Sequence, residues 1–105
     1  MKRRRVVLLP EAQADLRWIY DTVDQAAGPV TAMRYIERIE TYCRGFDYAS
    51  KRGTLRDDLR PGLRIVGFER RVTVAFAVEA DEVVIFRLFY GGANWEVELT
   101  EGRET

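Results

Sequence analysis

Histidine is absent from this 105-residue chain, and cysteine occurs once, as Cys43. Without histidine the chain lacks the side chain whose ordinary pKa best suits acid–base work near neutrality. One cysteine without histidine cannot supply a tetrahedral nitrogen and sulfur set for zinc, and a lone thiol closes no intrachain disulfide. Neither a metal nor a cofactor is therefore expected. Long hydrophobic runs are also missing, since none approaches the ~20 residues that cross a bilayer. The basic opening Lys2–Arg5 leads into only Val6–Leu9 before Pro10, far short of a signal-peptide core. These absences predict a cytoplasmic protein without a membrane partner.

Net charge is another absence: 17 basic residues balance 17 acidic ones. Their distribution is uneven, at +1 over residues 1–50, +4 over 51–71 and −5 over 72–105. Direct nucleic-acid readers usually carry a net basic domain, so this partition favours a protein partner met through a charged patch. The 47% hydrophobic and 32% charged content fits a soluble fold. At this length one domain is expected, its core about residues 6–98, with 101–105 fraying.

Periodicity supplies the elements. Val6–Leu9 reads as a first strand, and Pro10 is suited to the first turn of a helix. Ala12, Leu16, Ile19, Tyr20 and Val23 recur at spacings of three and four, a buried stripe that ends at Gly28-Pro29. A second helix is predicted from Val30 to Tyr48, with Cys43 as a small buried hydrophobe on its apolar face. So short a connection makes the pair an antiparallel hairpin. Residues 49–62 read as a loop. Leu63–Phe68, Val72–Val78 and Val83–Tyr90 read as three strands joined by polar turns, and the last should be central. Asn94–Leu99 is assigned a short extended piece or a turn of helix. The expected fold is α+β: an N-terminal strand, a helical hairpin, then a three-stranded antiparallel meander, with the hairpin helices on one sheet face.

Chemistry-bearing residues are few. Asp57-Asp58 and Asp81-Glu82 fall in polar turns, where solvent keeps carboxylates ordinary, and Gly91-Gly92 lacks the Lys-Ser/Thr of a phosphate loop. Glu69, Arg71, Arg87 and Tyr90 are of the types a ribonuclease uses, but Arg87 and Tyr90 would face opposite ways in a regular strand. Arg87 has two readings, a sheet residue paired with a carboxylate or a contact for a partner. Tyr90, Asn94 and Trp95 flank the glycine pair, and Arg, Tyr and Trp dominate interface hot spots. Lys51, Arg52, Arg56 and Arg60 line the central loop. Trp18 lies off the main stripe of the first helix, where it packs the hairpin or lines a groove for another chain.

Three motifs carry a family resemblance. Leu-x-Pro-Glu-Ala-x-x-Asp-Leu at Leu8–Leu16 resembles the opening of ParE-like toxins, with Leu9 where a hydroxyl residue is common. Asp57-Asp58-Leu59-Arg60-Pro61-Gly62-Leu63-Arg64 is similar to their central turn. Phe86-Arg87-Leu88-Phe89-Tyr90-Gly91-Gly92 with Asn94-Trp95-Glu96 resembles their closing segment, although an acidic residue is frequent at position 94. The similarity covers about residues 6–98. It implies a RelE/ParE-like fold and the toxin of a type II toxin–antitoxin pair, and the lack of a convincing acid–base set favours a toxin without enzymatic activity. It also implies DNA gyrase as target and neutralisation by a ParD-like antitoxin of ribbon-helix-helix type. Arg87, Tyr90, Asn94 and Trp95 are then the candidate target contacts, and Trp18, Tyr20 and Tyr35 the candidate antitoxin contacts. The alternatives are a ribosome-dependent mRNA endoribonuclease of the RelE type and an inactive remnant that only binds its antitoxin.

Overall fold

The first strand pairs with the last, which fixes the order of the sheet. A computed structural model describes residues 3–48, 51–92 and 94–104. Strand β1 (Arg5–Leu8) leads into helix α1 (Pro10–Ala27) and helix α2 (Pro29–Arg44), which a short 3-10 turn, Gly45–Asp47, extends. Strands β2 (Thr54–Leu55), β3 (Leu63–Phe68), β4 (Val72–Val78) and β5 (Glu82–Tyr90) follow, and helix α3 (Trp95–Glu104) closes the chain. The five strands lie in the order β1-β5-β4-β3-β2. β1 runs parallel to β5, while the remaining pairs are antiparallel.

The expected α+β fold, its helical hairpin and its antiparallel meander are all present. Helix α2 stops at Arg44, four residues before the predicted end, because Gly45 tightens the chain into the 3-10 turn. Ala49 and Ser50 lie outside the described residues, as do Ala93 and Thr105. The predicted loop contains a fifth strand, β2, paired at Thr54↔Ile65 and Leu55↔Arg64. Two residues are too few to show alternation, so composition hid it. Beside it, Gly53 has φ 75°, and a Cβ there would collide with the Ile65 carbonyl. The closing segment is a helix reaching Glu104 where an extended piece or single turn, then fraying, was expected. Asn94 starts it, its side-chain oxygen accepting from the Val97 amide at 3.4 Å.

Packing divides by sheet face. On one face, Ala12, Ile19 and Val23 of α1 and Ala32, Tyr35, Ile39 and Cys43 of α2 bury against the sheet, with Phe46 and Phe76 at the centre. On the other, Trp95 and Leu99 of α3 close over Leu63, Ala75 and Phe89. The hairpin thus holds one face as predicted, and α3 partly covers the second.

A bulge in β5 makes this division fit the sequence. Ala75 pairs with Arg87 and Phe76 with Ile85, leaving Phe86 as the extra residue. Val83 and Ile85 precede the bulge and Leu88 follows it, yet all three join the hairpin-side core. A regular strand would have sent Arg87 into that core and Leu88 out of it, because side chains alternate.

The β3–β4 turn carries visible strain. Glu69 and Arg70 have φ of 50° and 63°, and the Arg71 amide donates to the Phe68 carbonyl at 3.2 Å. Two successive positive φ values suit Asn-Gly, and a side chain with Cβ costs about 1 kcal/mol at such a position. Arg70→Gly should therefore raise stability by about 1 kcal/mol, read as a higher urea midpoint at unchanged slope.

Candidate functional site

β1 ends at Leu8, where the Leu9 amide makes its last bond to the Ile85 carbonyl. β5 runs on to Tyr90, so its outer edge is left without a strand partner beyond that point. Asp15, one turn and a half into α1, takes the place of the missing strand. Its carboxylate accepts from the Leu88 amide at 2.8 Å and from Arg87 through Nε at 2.7 Å and Nη2 at 3.0 Å. The side chains of Asp15 and Arg87 are 16% and 32% exposed, so the clamp is partly shielded from water. The Asp15 bond, partly offset by burial, raises the Arg87 pKa. Of the two readings of Arg87, the structure displays the carboxylate-paired one, and the guanidinium also sits 4.8 Å from the Phe89 ring centre.

Around this clamp the free edge of β5 forms a cleft of about 390 Å³ between α1 and α3. Trp18 from α1, Arg87 and Tyr90 from β5 and Glu98 from α3 line it. Trp18 is 58% exposed and meets the Tyr90 ring edge-on at 6.3 Å. Tyr90 in turn meets Tyr35 at 5.9 Å. Trp18, Tyr90 and Tyr35 thus form one aromatic row, joining residues that the sequence reading divided between two partners. Tyr20 is separate from the row, half-buried against the hairpin-side core. Asn94 caps α3 and Trp95 packs into the opposite-face core, with the Arg56 guanidinium 5.4 Å from its ring.

The central motif is a structural knot. Arg56 donates to Asp58 through Nε at 2.9 Å and Nη2 at 2.8 Å, which holds the Asp58 carboxyl below its usual range. The Gly62 amide donates to Asp57 at 2.8 Å, and Arg64 donates through Nε to the Arg52 carbonyl at 2.9 Å. Arg52 lies over the Phe46 ring and Arg60 over Phe86. Most of the mid-chain basic zone is thereby tied to its own fold.

The ribonuclease set does not converge on one centre. Arg71 and Tyr90 line the same pocket, but Arg38 holds Glu69 in a bidentate pair and Asp15 holds Arg87 at the outer edge of β5. Among the described residues, no group of three His, Cys, Asp or Glu side chains could hold a metal. No helix among them is long and apolar enough to cross a membrane. Asp15 went unremarked as a functional residue, although its place in the opening motif was the available signal.

A family model described as the ParE toxin of the type II toxin–antitoxin system parDE matches residues 6–95. The chain belongs to the ParE toxin family. Among solved structures, a chain of the chromosomal ParDE toxin–antitoxin system of P. aeruginosa is similar to this ParE-family toxin. Its TM-score is 0.74 and its identity 26%, over 85% of this chain and 97% of that one. No curated protein matches the toxin. The fold is therefore that of a ParE-family toxin, and Asp15 and Arg87 join its opening and closing segments in space.

Two outcomes test this geometry. Asp15→Ala leaves the Leu88 amide and the Arg87 guanidinium unpartnered, and should cost about 2–3 kcal/mol in denaturant unfolding. Burial raises the Cys43 thiol from 9.0 to about 12. The unfolded thiol ionises first, so its contribution to stability is full below pH 9 and falls as pH rises toward 12. Between pH 8 and 10, wild type should lose about 1.4 kcal/mol relative to Cys43→Ala in paired unfolding curves.

Proposed function

We propose that this ParE-family toxin acts by binding DNA gyrase in the cytoplasm, without catalysing a reaction of its own. A ParD-like antitoxin of ribbon-helix-helix type would neutralise it. The observation that carries this reading is the dispersal of the acid–base candidates beside an exposed edge of aromatic residues and arginine. Glu69 is committed to an ion pair with Arg38, whereas Trp18, Arg87 and Tyr90 line an open cleft. Contact with gyrase is assigned to the end of β5 and the start of α3, through Arg87, Tyr90, Asn94 and Trp95. Contact with antitoxin is assigned to the hairpin, through Trp18, Tyr20 and Tyr35. Aromatic anchors of this type supply most of the energy of tight interfaces, and a nanomolar complex needs about −12 kcal/mol.

Membership of a family named for a two-component system supports the antitoxin half of this reading. Trp18 and Tyr90 share a cleft, so an antitoxin seated on the hairpin would also mask part of the target surface. Neutralisation by occlusion follows without a change of fold.

Purified gyrase should lose supercoiling activity when toxin is added, and regain it when the product of the neighbouring antitoxin reading frame is supplied. Unchanged supercoiling removes gyrase as the target. Codon-linked cuts in a reconstituted translation mixture would establish the ribonuclease alternative instead.

A further inference from the structure

Tyr35 holds a buried polar atom with nothing to bond. The residue is 8% exposed, and its hydroxyl is inaccessible to water and makes no hydrogen bond. Buried polar groups are nearly always satisfied, so a lone one calls for a missing partner. Tyr35 lines a pocket of about 410 Å³ between α2 and the end of β5. Thr31, Arg34, Arg38, Arg71 and Tyr90 complete its polar and aromatic lining. Burial is the main cause that raises the Tyr35 pKa, Tyr90 and Glu69 raise it further, and Arg38 and Arg71 oppose them.

The charge at this pocket is unbalanced. No acidic side chain among the described residues lines it, and Glu69 of the adjoining groove has both oxygens taken by Arg38, at 3.0 and 3.1 Å. Among the described residues, no ion pair or side-chain hydrogen bond engages the guanidinium of Arg34 or Arg71. Two unpaired cations therefore share this lining with an orphan hydroxyl donor, while the Arg38 guanidinium lies over the Tyr35 ring at 5.1 Å. A second groove of about 650 Å³ continues along α2 from the shared Arg34 and Arg38, past Glu37, to Tyr42, Phe68 and the Arg38-paired Glu69. A peptide with an acidic side chain flanked by apolar ones matches this order of surfaces.

We propose that the pocket formed by Arg34, Tyr35 and Arg71 is a carboxylate-binding site for an acidic segment of the antitoxin. The proposal rests on the reading of this chain as an antitoxin-neutralised toxin and adds the chemistry by which the hairpin recognises its partner. An entering carboxylate lies between the flexible Arg34 and Arg71 side chains. A small shift of them lets it accept from the Tyr35 hydroxyl, while neighbouring apolar residues continue along the groove. Charge-assisted bonds of this kind are the strong ones, and arginine is suited to planar carboxylates.

The test titrates full-length toxin with a blocked peptide carrying Glu between leucines, with its Gln counterpart and with inorganic phosphate, following arginine Nε–H and Tyr35 ring signals by NMR. The Glu peptide should shift Arg34, Arg71 and Tyr35, with the Gln peptide and phosphate each at least fivefold weaker. Tyr35→Phe and Arg71→Ala should each weaken the Glu peptide about tenfold, the loss of one bond to a charged acceptor. Tyr35→Phe should leave the unfolding midpoint equal or higher, because it removes an unsatisfied donor; a lower midpoint would mean that the hydroxyl serves the fold. Equal binding of the Gln peptide, or no shift at all, overturns the site even where an antitoxin still neutralises the toxin. Tighter binding of phosphate overturns the peptide as its source. A retained Glu-peptide site in a toxin that no antitoxin neutralises overturns the antitoxin as occupant and, with it, the antitoxin half of the proposed function.

Discussion

Everything at the end of β5 depends on one carboxylate. β1 is only four residues long, so β5, the last strand in the chain, would expose bare backbone beyond Ile85. Asp15 closes part of that gap by accepting from the Leu88 amide and holding the neighbouring Arg87 guanidinium. An acceptor that satisfies a backbone donor and a partly buried cation together fixes the rotation of α1 on the sheet. It also leaves the rest of the edge, toward Tyr90, open between two helices. Unpaired strand edges are places where other chains attach, and this one is narrowed but not sealed.

The β-bulge at Phe86 does comparable work from within. It lets one strand place Val83, Ile85 and Leu88 on the hairpin side while Phe89 packs under α3. Arg87 thereby leaves the dry core and reaches Asp15 at the rim. Tyr90 falls at the junction of two surfaces, touching Trp18 on one side and Tyr35 on the other. A single residue shared by two surfaces gives a physical route by which filling one can hinder access to the other.

Much of the fold was legible because its stripes are strong. The three- and four-residue spacing from Ala12 to Val23 and the alternation of Val72, Val74 and Phe76 each describe an inward face: Ala12, Ile19, Val23, Val72, Val74 and Phe76 are buried, and Leu16 and Tyr20 are half-buried against them. β2 was not legible, since Thr54 and Leu55 are exposed and owe their conformation to pairing with β3. Helix α3 was half legible: a turn of helix was one of two readings for Asn94–Leu99, but glutamates outnumber its apolar positions, and among the described residues only Trp95 and Leu99 reach a core. The candidate site was legible as residue types and illegible as groupings. Arg87, Tyr90, Asn94 and Trp95 look like one cluster in sequence, yet the structure gives them a clamp, an aromatic junction, a helix cap and a core contact.

Three motifs in the sequence carried the family resemblance, and the sequence alone determined the helical hairpin, the meander and the poverty of acid–base groups, because these are written in local spacing or in composition. Tertiary structure decided the partner of Arg87, the company of Tyr90 and the unsatisfied hydroxyl of Tyr35. Those facts join residues 72, 55 and 31 or more positions apart, through Asp15–Arg87, Tyr35–Tyr90 and Arg38–Glu69. Local propensity cannot see across such distances. The bulge at Phe86 and the early end of β1 set which side chains meet, and both exist only once the strands have paired.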